Sequence, residues 1–350
     1  MKIRIDFPIA AAHRLKAIDQ LRGLALLLIL FYHSGGMLSW NWTYSVHGEA
    51  GVDLFLIISG FGLALNCVDL PIGQFLTRRF LRIFPSYWVA LALFVWLDVH
   101  YYADHRSTAD LVLHILGLQC FSGTAFMSIN QSFWFISLVV LCYGLFLLLR
   151  KKLENLSLLV TVCALTTLLC YVFYRQIGFD GGLDHFVVRI PAFFLGVAAA
   201  QFGTGRGVQF RVNLPLCASL LVIAYLGLNY GLNWFNLLLA VACILTFLWL
   251  QKYLTQDAVG RFALGLLSLL GVYSYEIYLL HQPVMRSFSR VAMYYWFGIA
   301  SPTTRQVFAG MAGGFLVSVA AAVVLHTLVA ALFRFFSAAH RPGFARPKPG

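Results

Sequence analysis

The chain has 350 residues, of which 61% are hydrophobic and only 11% are charged. The mean hydropathy of +0.81 is higher than a soluble core requires and indicates a polytopic membrane protein. The net charge is +12, but the basic residues are scattered between apolar runs, which argues against a nucleic-acid partner. The seven cysteines mostly lie in apolar runs without paired spacing, so we expect neither disulfides nor a metal site.

Apolar runs of bilayer length predict an all-α helix bundle with about ten transmembrane helices. The predicted spans lie near residues 18–38, 51–68, 80–100, 132–149, 156–175, 184–202, 212–230, 232–250, 263–285 and 308–335. Segment 109–121 is apolar but short, and could be re-entrant or interfacial. We expect residues 1–17 to be a cytoplasmic lead-in, 18–336 the membrane domain, and 337–350 a basic, disordered tail. With the N-terminus inside, most of the 25 Lys and Arg fall on the cytoplasmic side, which predicts that both termini are cytoplasmic.

The first predicted span carries two polar residues on one face. Arg22 and His33 are eleven residues apart, which places them about 16 Å apart along a helix and about 20° apart around it. The arginine can stay near the headgroups while the histidine lies inside the hydrocarbon. Because an ionisable group there is costly, His33 is a candidate functional residue. The alternative is a histidine hydrogen-bonded between packed helices.

The second predicted span begins with two acids. Glu49 and Asp53 share a helix face if the helix has already begun, and Gly51 and Gly60 would let another backbone or a ligand approach closely. The alternative is an acid favoured by the helix dipole, with small residues for packing.

Three arginines lie at the entrance of the third span. Arg79 and Arg82 are helical neighbours, and Arg78 is four residues from Arg82. Guanidinium groups suit phosphates through forked, charge-assisted hydrogen bonds. The alternative is an ordinary positive-inside signal or lipid headgroup binding.

A later predicted span carries a polar stripe. Ser274, Tyr278 and His281 follow a spacing of four and three residues on an otherwise apolar helix, and Glu276 lies on another face. Such a stripe also occurs where polar side chains simply join helices.

These residues, taken together, resemble the bacterial acyltransferase-3 family of integral membrane acyltransferases from about Ala17 to Phe335. The similar motifs are Arg22 to His33, Gly51-Val-Asp53-Leu-Phe with Ser59-Gly60-Phe61, Arg79-x-x-Arg82 followed by Pro85, and Ser274-Tyr275 to Pro283. Some members carry a glutamate shortly after the tryptophan at the Trp134 position. Here Val139 and Val140 follow the tryptophan instead. The glutamate is therefore either dispensable in this chain or replaced by Glu276.

The resemblance implies transfer of an acyl group, most often acetyl from acetyl-CoA, to a carbohydrate hydroxyl in the bacterial inner membrane. It implies acyl-CoA as donor substrate, no permanently bound cofactor, and a carbohydrate acceptor that is lipid-linked or free. A neutral histidine suits the role of general base, and we assign this role to His33. The less favoured variant of the mechanism passes through an acyl-histidine intermediate.

The other roles follow from the same resemblance. We expect Arg22 to steer the donor, Arg78, Arg79 and Arg82 to bind CoA phosphates, and Asp53 or Glu49 to orient His33 or the sugar. The expected substrate-binding residues are Trp134, Tyr278, His281 and Glu276. The alternative function is a transporter of a lipid-linked sugar or organic anion, which explains the arginine cluster less well; a structural or sensory subunit leaves the polar positions unexplained.

Overall fold

The computed structural model describes residues 11–38, 46–97, 107–126, 128–153, 188–205, 235–288 and 303–339, together with 99, 155, 158, 161–162, 164–165, 168, 218–223 and 298–299. No β-strand occurs among these residues, which agrees with the predicted all-α class. The long helices are α1 (Ala11–Leu38), α2 (Ala50–Asn66), α3 (Ile72–Leu97), α4 (Thr108–Leu116), α5 (Trp134–Leu149), α6 (Ile190–Gly205), α7 (Phe235–Leu254), α8 (Ala258–Val272), α9 (Ser274–Ser287) and α10 (Thr304–Ala339). Short 3₁₀ turns at Val46–Glu49, Gln119–Phe121, Gln131–Phe133 and Arg150–Lys152 flank them.

The number of membrane spans is lower in the described residues than the sequence predicted. Five helical segments are long and apolar enough to cross a bilayer, and the pair α8 and α9 makes a sixth if it is one span. The predicted spans 156–175 and 212–230 fall mostly outside the described residues. The count of ten and the cytoplasmic placement of the termini therefore stay predictions.

Several predicted boundaries shift. Helix α1 begins at Ala11, inside the predicted lead-in 1–17, and α10 extends to Ala339, into the predicted tail 337–350. Residues 1–10 and 340–350 lie outside the described part of the chain. Helix α3 begins eight residues earlier than predicted, so Arg78 and Arg79 lie within its first turns rather than ahead of it. Segment 109–121 forms the nine-residue helix α4 and a 3₁₀ turn, too short to cross a bilayer.

The predicted span 263–285 consists of two helices rather than one. Helices α8 and α9 meet at Tyr273 with a bend of 82°. At this break the Gly271 carbonyl oxygen accepts a hydrogen bond of 2.8 Å from the Ser274 hydroxyl, in addition to one from the Tyr273 backbone N–H. The bend turns the polar stripe of α9 towards the other helices of the bundle.

Glycines set the closest helix contacts. A Cβ atom on Gly60 of α2 would collide with the carbonyl oxygen of Phe193 on α6, and one on Gly196 would collide with that of Ile57. Where helices gain nothing by leaving lipid, close backbone packing is a main source of association, and only small residues allow it. The α2–α6 crossing holds the acids of α2 beside Arg189, which immediately precedes α6.

Candidate active site

A cavity of about 250 Å³ lies among α1, α2, α3, α5 and α9. Arg22, Arg79 and Arg82 line it, and the Arg79 guanidinium lies over the Tyr143 ring of α5. Phe135 precedes Tyr143 by eight residues, about 12 Å along the helix, and its ring contacts that of Tyr278, so these two rings line the end away from the arginines. Ser59 of α2, and Ser274 and Tyr275 of α9, also line it. The motifs that the sequence analysis singled out on four separate helices therefore face one cavity.

The arginine end is a concentration of positive charge. Arg22 is partly offset by Asp19, whose carboxylate lies 3.1 Å from its Nη1. The Arg79 guanidinium lies 5.8 Å from the centroid of the Tyr143 ring, and its Nε is buried without a hydrogen-bond partner in the described part of the chain. Arg82 is exposed at the cavity rim. Three guanidinium groups, of which only Arg22 is paired with an acid among the described residues, can bind a polyanion.

Arg78 does not belong to this group. Its side chain is exposed and is not part of the cavity lining, so the structure does not bring it to the cavity together with Arg79 and Arg82. Consecutive residues of a helix point about 100° apart, and here Arg79 lines the cavity whereas Arg78 does not.

The other end of the cavity leads to two histidines through aromatic rings. The Phe135 and Tyr278 rings have centroids 5.2 Å apart, Tyr278 and His281 5.7 Å, and His281 and His33 5.0 Å. His281 is fully buried, whereas His33 is half-buried. Neither histidine lines the cavity; both lie behind the Tyr278 ring. The ring of His33 therefore lies beside that of another histidine.

The tautomer of His281 follows from its neighbour. Its Nδ1 lies 2.8 Å from the Tyr278 carbonyl oxygen, which can only accept, so Nδ1 carries the proton. In the neutral ring Nε2 is then an acceptor, and it has no partner among the described residues. An unprotonated ring nitrogen beside His33 is suited to accept a proton.

The short segment before α5 holds this end in place. The Tyr278 hydroxyl donates a hydrogen bond of 2.7 Å to the Ser132 carbonyl oxygen, and the Asn130 amide donates one of 3.1 Å to the Leu279 carbonyl oxygen. The Ser132 hydroxyl also donates to Gln282 at 2.7 Å. Sequence reasoning missed these residues, because polar side chains in a loop carry no periodic pattern.

The two acids of α2 bind an arginine rather than a histidine. Arg189 Nη1 lies 2.6 Å from Asp53, and Nη2 lies 2.5 Å from Glu49. The Asn236 amide donates to Glu49 at 3.2 Å, and the Arg189 guanidinium lies 5.5 Å from the centroid of the Trp134 ring. We call Glu49, Asp53, Arg189 and Asn236 the charge cluster. Within the described residues no hydrogen bond joins either acid to His33, so the structure does not support direct orientation of His33 by them.

Glu276 lies apart from the cavity. Its carboxylate is 3.1 Å from His326 on α10 and accepts a hydrogen bond of 3.4 Å from the Ser86 hydroxyl. It is buried but does not line the cavity, so a direct substrate-binding role is not supported. Its contacts join α3, α9 and α10.

Comparison with known proteins identifies the family. A family model described as an acyltransferase domain matches residues 15–326, most of the chain. The chain belongs to the acyltransferase-3 family. Within this acyltransferase-3 protein the matched range contains the cavity, both histidines and the charge cluster, so all of these lie in the family domain.

Three relatives of this acyltransferase-3 chain have names that state an activity. A protein of the Acidianus two-tailed virus named as an acetyltransferase (ORF330) is 28% identical over 61% of this chain and 63% of its own length. A protein of Komagataeibacter xylinus named as a membrane-bound transacylase (BcsY) is 25% identical over 77% of this chain and 73% of its own. The peptidoglycan O-acetyltransferase OatA of Listeria monocytogenes is 31% identical over 25% of this chain and 14% of its own. The chain thus covers less than two thirds of two of these relatives. No solved structure matches it.

Proposed function

We propose that this protein is a membrane O-acyltransferase that moves an acyl group, most simply acetyl, from acyl-CoA to a hydroxyl group of a carbohydrate. The observation that carries the proposal is the cavity with three arginines at one end and Tyr278, backed by two histidines, at the other. An acyl donor with anionic phosphates at one end and a long neutral arm matches a cavity that is positively charged at one end only. The names of the relatives support an acetyl group and, for the Listeria protein, a glycan acceptor.

The donor binds first at the arginine end. The phosphates of CoA contact Arg22, Arg79 and Arg82, since forked guanidinium groups bind phosphate oxygens with paired hydrogen bonds. The pantetheine arm extends along the apolar middle of the cavity, and the thioester reaches Phe135 and Tyr278. This end would face the cytoplasm of a bacterial inner membrane, where acyl-CoA is available.

The histidine pair supplies the proton chemistry. A carbohydrate hydroxyl is a poor nucleophile near neutral pH, so His33 accepts its proton as the oxygen attacks the thioester carbonyl carbon. The new C–O bond forms, the C–S bond breaks, and the departing CoA thiolate takes the proton back from His33. His281, whose Nε2 is an open acceptor, is the second candidate for the base. Tyr278 positions His281 through its carbonyl oxygen.

The acceptor approaches from the end of the bundle that holds His33, Trp134 and the charge cluster. Donor and acceptor then reach the histidine pair from opposite ends. This arrangement keeps water from the thioester until an acceptor hydroxyl is present.

The decisive experiment separates this enzyme from a transporter. Membrane vesicles containing the protein receive acetyl-CoA labelled in the acetyl group and a carbohydrate acceptor, and the label is followed. Label that appears on the carbohydrate in a protein-dependent way supports acyl transfer. Movement of unmodified solute across the vesicle membrane, with no label on carbohydrate, would refute it.

A further inference from the structure

The charge cluster contains two buried polar atoms whose hydrogen-bonding capacity is unused. Arg189 spends Nη1 and Nη2 on the two acids, and its Nε has no partner among the described residues. Asn236 donates its amide to Glu49; because a carboxylate only accepts, this bond fixes the amide orientation and leaves Oδ1 as an acceptor. That Oδ1 also has no partner in the described part of the chain. Both residues are 3% exposed.

Buried polar groups are normally satisfied, so two open ones on neighbouring residues point to a missing partner. One atom is a donor and the other an acceptor, and both residues bind the carboxylate of Glu49. A hydroxyl group can accept from the Arg189 Nε and donate to the Asn236 Oδ1 at the same time. A carboxylate or phosphate ligand could not donate, and it would face Glu49 and Asp53.

The location agrees with an acceptor site. Gly48, next to Glu49, packs against the Leu28 carbonyl and the Tyr32 backbone of α1. Glu49 therefore lies close to the turn of α1 that carries His33. On the other side of the cluster, the Arg189 guanidinium lies over the Trp134 ring, whose neighbour Phe135 ends the donor cavity. The cluster therefore lies near both the helix α1 that carries the proposed base and the end of the donor cavity.

We propose that the Arg189 Nε and the Asn236 Oδ1 form a subsite that binds one hydroxyl group of a saccharide, distinct from the hydroxyl that is acylated. The inference rests on the proposed function and specifies its acceptor as a molecule with at least two hydroxyl groups. The acids of α2 act through Arg189: they hold its guanidinium so that Nε faces the bound hydroxyl. A buried water molecule would satisfy the same two atoms, and the experiment distinguishes the two occupants.

The test measures saccharide binding without donor. The protein in lipid nanodiscs is titrated with methyl β-glucoside, methyl N-acetyl-β-glucosaminide and their mono-deoxy analogues by saturation-transfer NMR. Wild-type protein is compared with Asn236→Ala and, since that variant could fold poorly, with Arg189→Lys, which keeps the charge but lacks the Nε donor. The control is Gln251→Ala at the other end of α7, whose amide donates to Gln20 at 2.8 Å.

We expect one deoxy position to weaken binding to wild type by at least about tenfold, because the hydroxyl makes two hydrogen bonds there, and to have a smaller effect on Asn236→Ala and Arg189→Lys, which each keep one of the two. Gln251→Ala should behave as wild type. The proposal is overturned if no saccharide binds, or if every deoxy effect persists at full size in both variants, as a bound water predicts. Acetyl transfer from acetyl-CoA is measured separately. A deoxy effect that depends on Asn236 and Arg189, without acetyl transfer, would refute the proposed function alone. Acetyl transfer without such a dependence would refute the subsite alone.

Discussion

Replacement of single arginines at the cavity should show whether they bind the acyl donor or only set the orientation of the helix in the membrane. Arg79 is half-buried, lies over Tyr143, and has an unpaired Nε in the described structure, so a phosphate contact there is shielded from water. A charged hydrogen bond in such a place contributes about 1.5–3 kcal/mol, so Arg79→Ala should raise the KM for acetyl-CoA about 10- to 150-fold. Arg82 is exposed, and solvent screening reduces its contribution to about 0.2–1 kcal/mol, or at most about fivefold.

Arg78→Ala is the matched control, since this neighbour has the same charge but does not line the cavity. It should leave the KM for acetyl-CoA unchanged. The assay is a titration of purified variants with acetyl-CoA at saturating acceptor, with CoA release as the readout. Arg79→Lys should restore only part of the affinity, because lysine keeps the charge but lacks the planar fork. Equal effects of all three alanine variants, or full rescue by lysine, would mean that these arginines serve membrane insertion and not donor binding.

Two further predictions concern stability, measured as the apparent Tm of detergent-solubilised protein. Asp53→Ala should destabilise the protein strongly, by about 3–5 kcal/mol, because Asp53 is 2% exposed and its loss leaves a buried charge on Arg189 partly unpaired. Glu49→Gln should cost much less, since its side chain is 18% exposed and the amide can still accept from Arg189; equal losses would contradict the geometry of the charge cluster. Gly60→Ala should lower the Tm or the yield because the added Cβ meets the Phe193 carbonyl, whereas Gly144→Ala, with nothing within 4 Å, should be neutral or stabilising. A tolerated Gly60→Ala would refute the close α2–α6 contact.

The residues of the cavity were predictable because helical periodicity converts spacing into a shared face. Arg22, Arg79 and Arg82 were each identified from short motifs, and the structure brings them to one cavity. The stripe of Ser274, Tyr278 and His281 likewise faces the interior. Side-chain direction within one helix depends only on local geometry, so this part of the site follows from the sequence.

Arg189 could not be found in the same way. It is 136 residues from Asp53 along the chain, and no local pattern relates the two. Sequence analysis did not single it out. The available signal was chemical: two acids at the start of an apolar helix need a cation if they become buried, and Arg189 precedes the helix start Ile190–Pro191.

The break between α8 and α9 was missed for a related reason. Hydropathy is continuous across residues 263–285, and window averages respond to composition rather than to backbone hydrogen bonds. The local signal was Gly271 followed three residues later by Ser274, whose hydroxyl binds the Gly271 carbonyl oxygen. Such side-chain bonds compete with helical ones and often accompany bends.

The central claim is that His33 accepts the proton of an acceptor hydroxyl during transfer from acyl-CoA. The direct measurement is the rate at which labelled acetyl moves from acetyl-CoA to carbohydrate in vesicles that contain wild type or His33→Ala at equal amounts of folded protein. Loss of a general base typically lowers the rate about 10²- to 10⁴-fold, and the neighbouring Ser34→Ala, which removes only an exposed hydroxyl bound to the Phe31 carbonyl, should keep the wild-type rate. Wild-type transfer by His33→Ala would contradict the mechanism and leave His33 as a residue of helix packing.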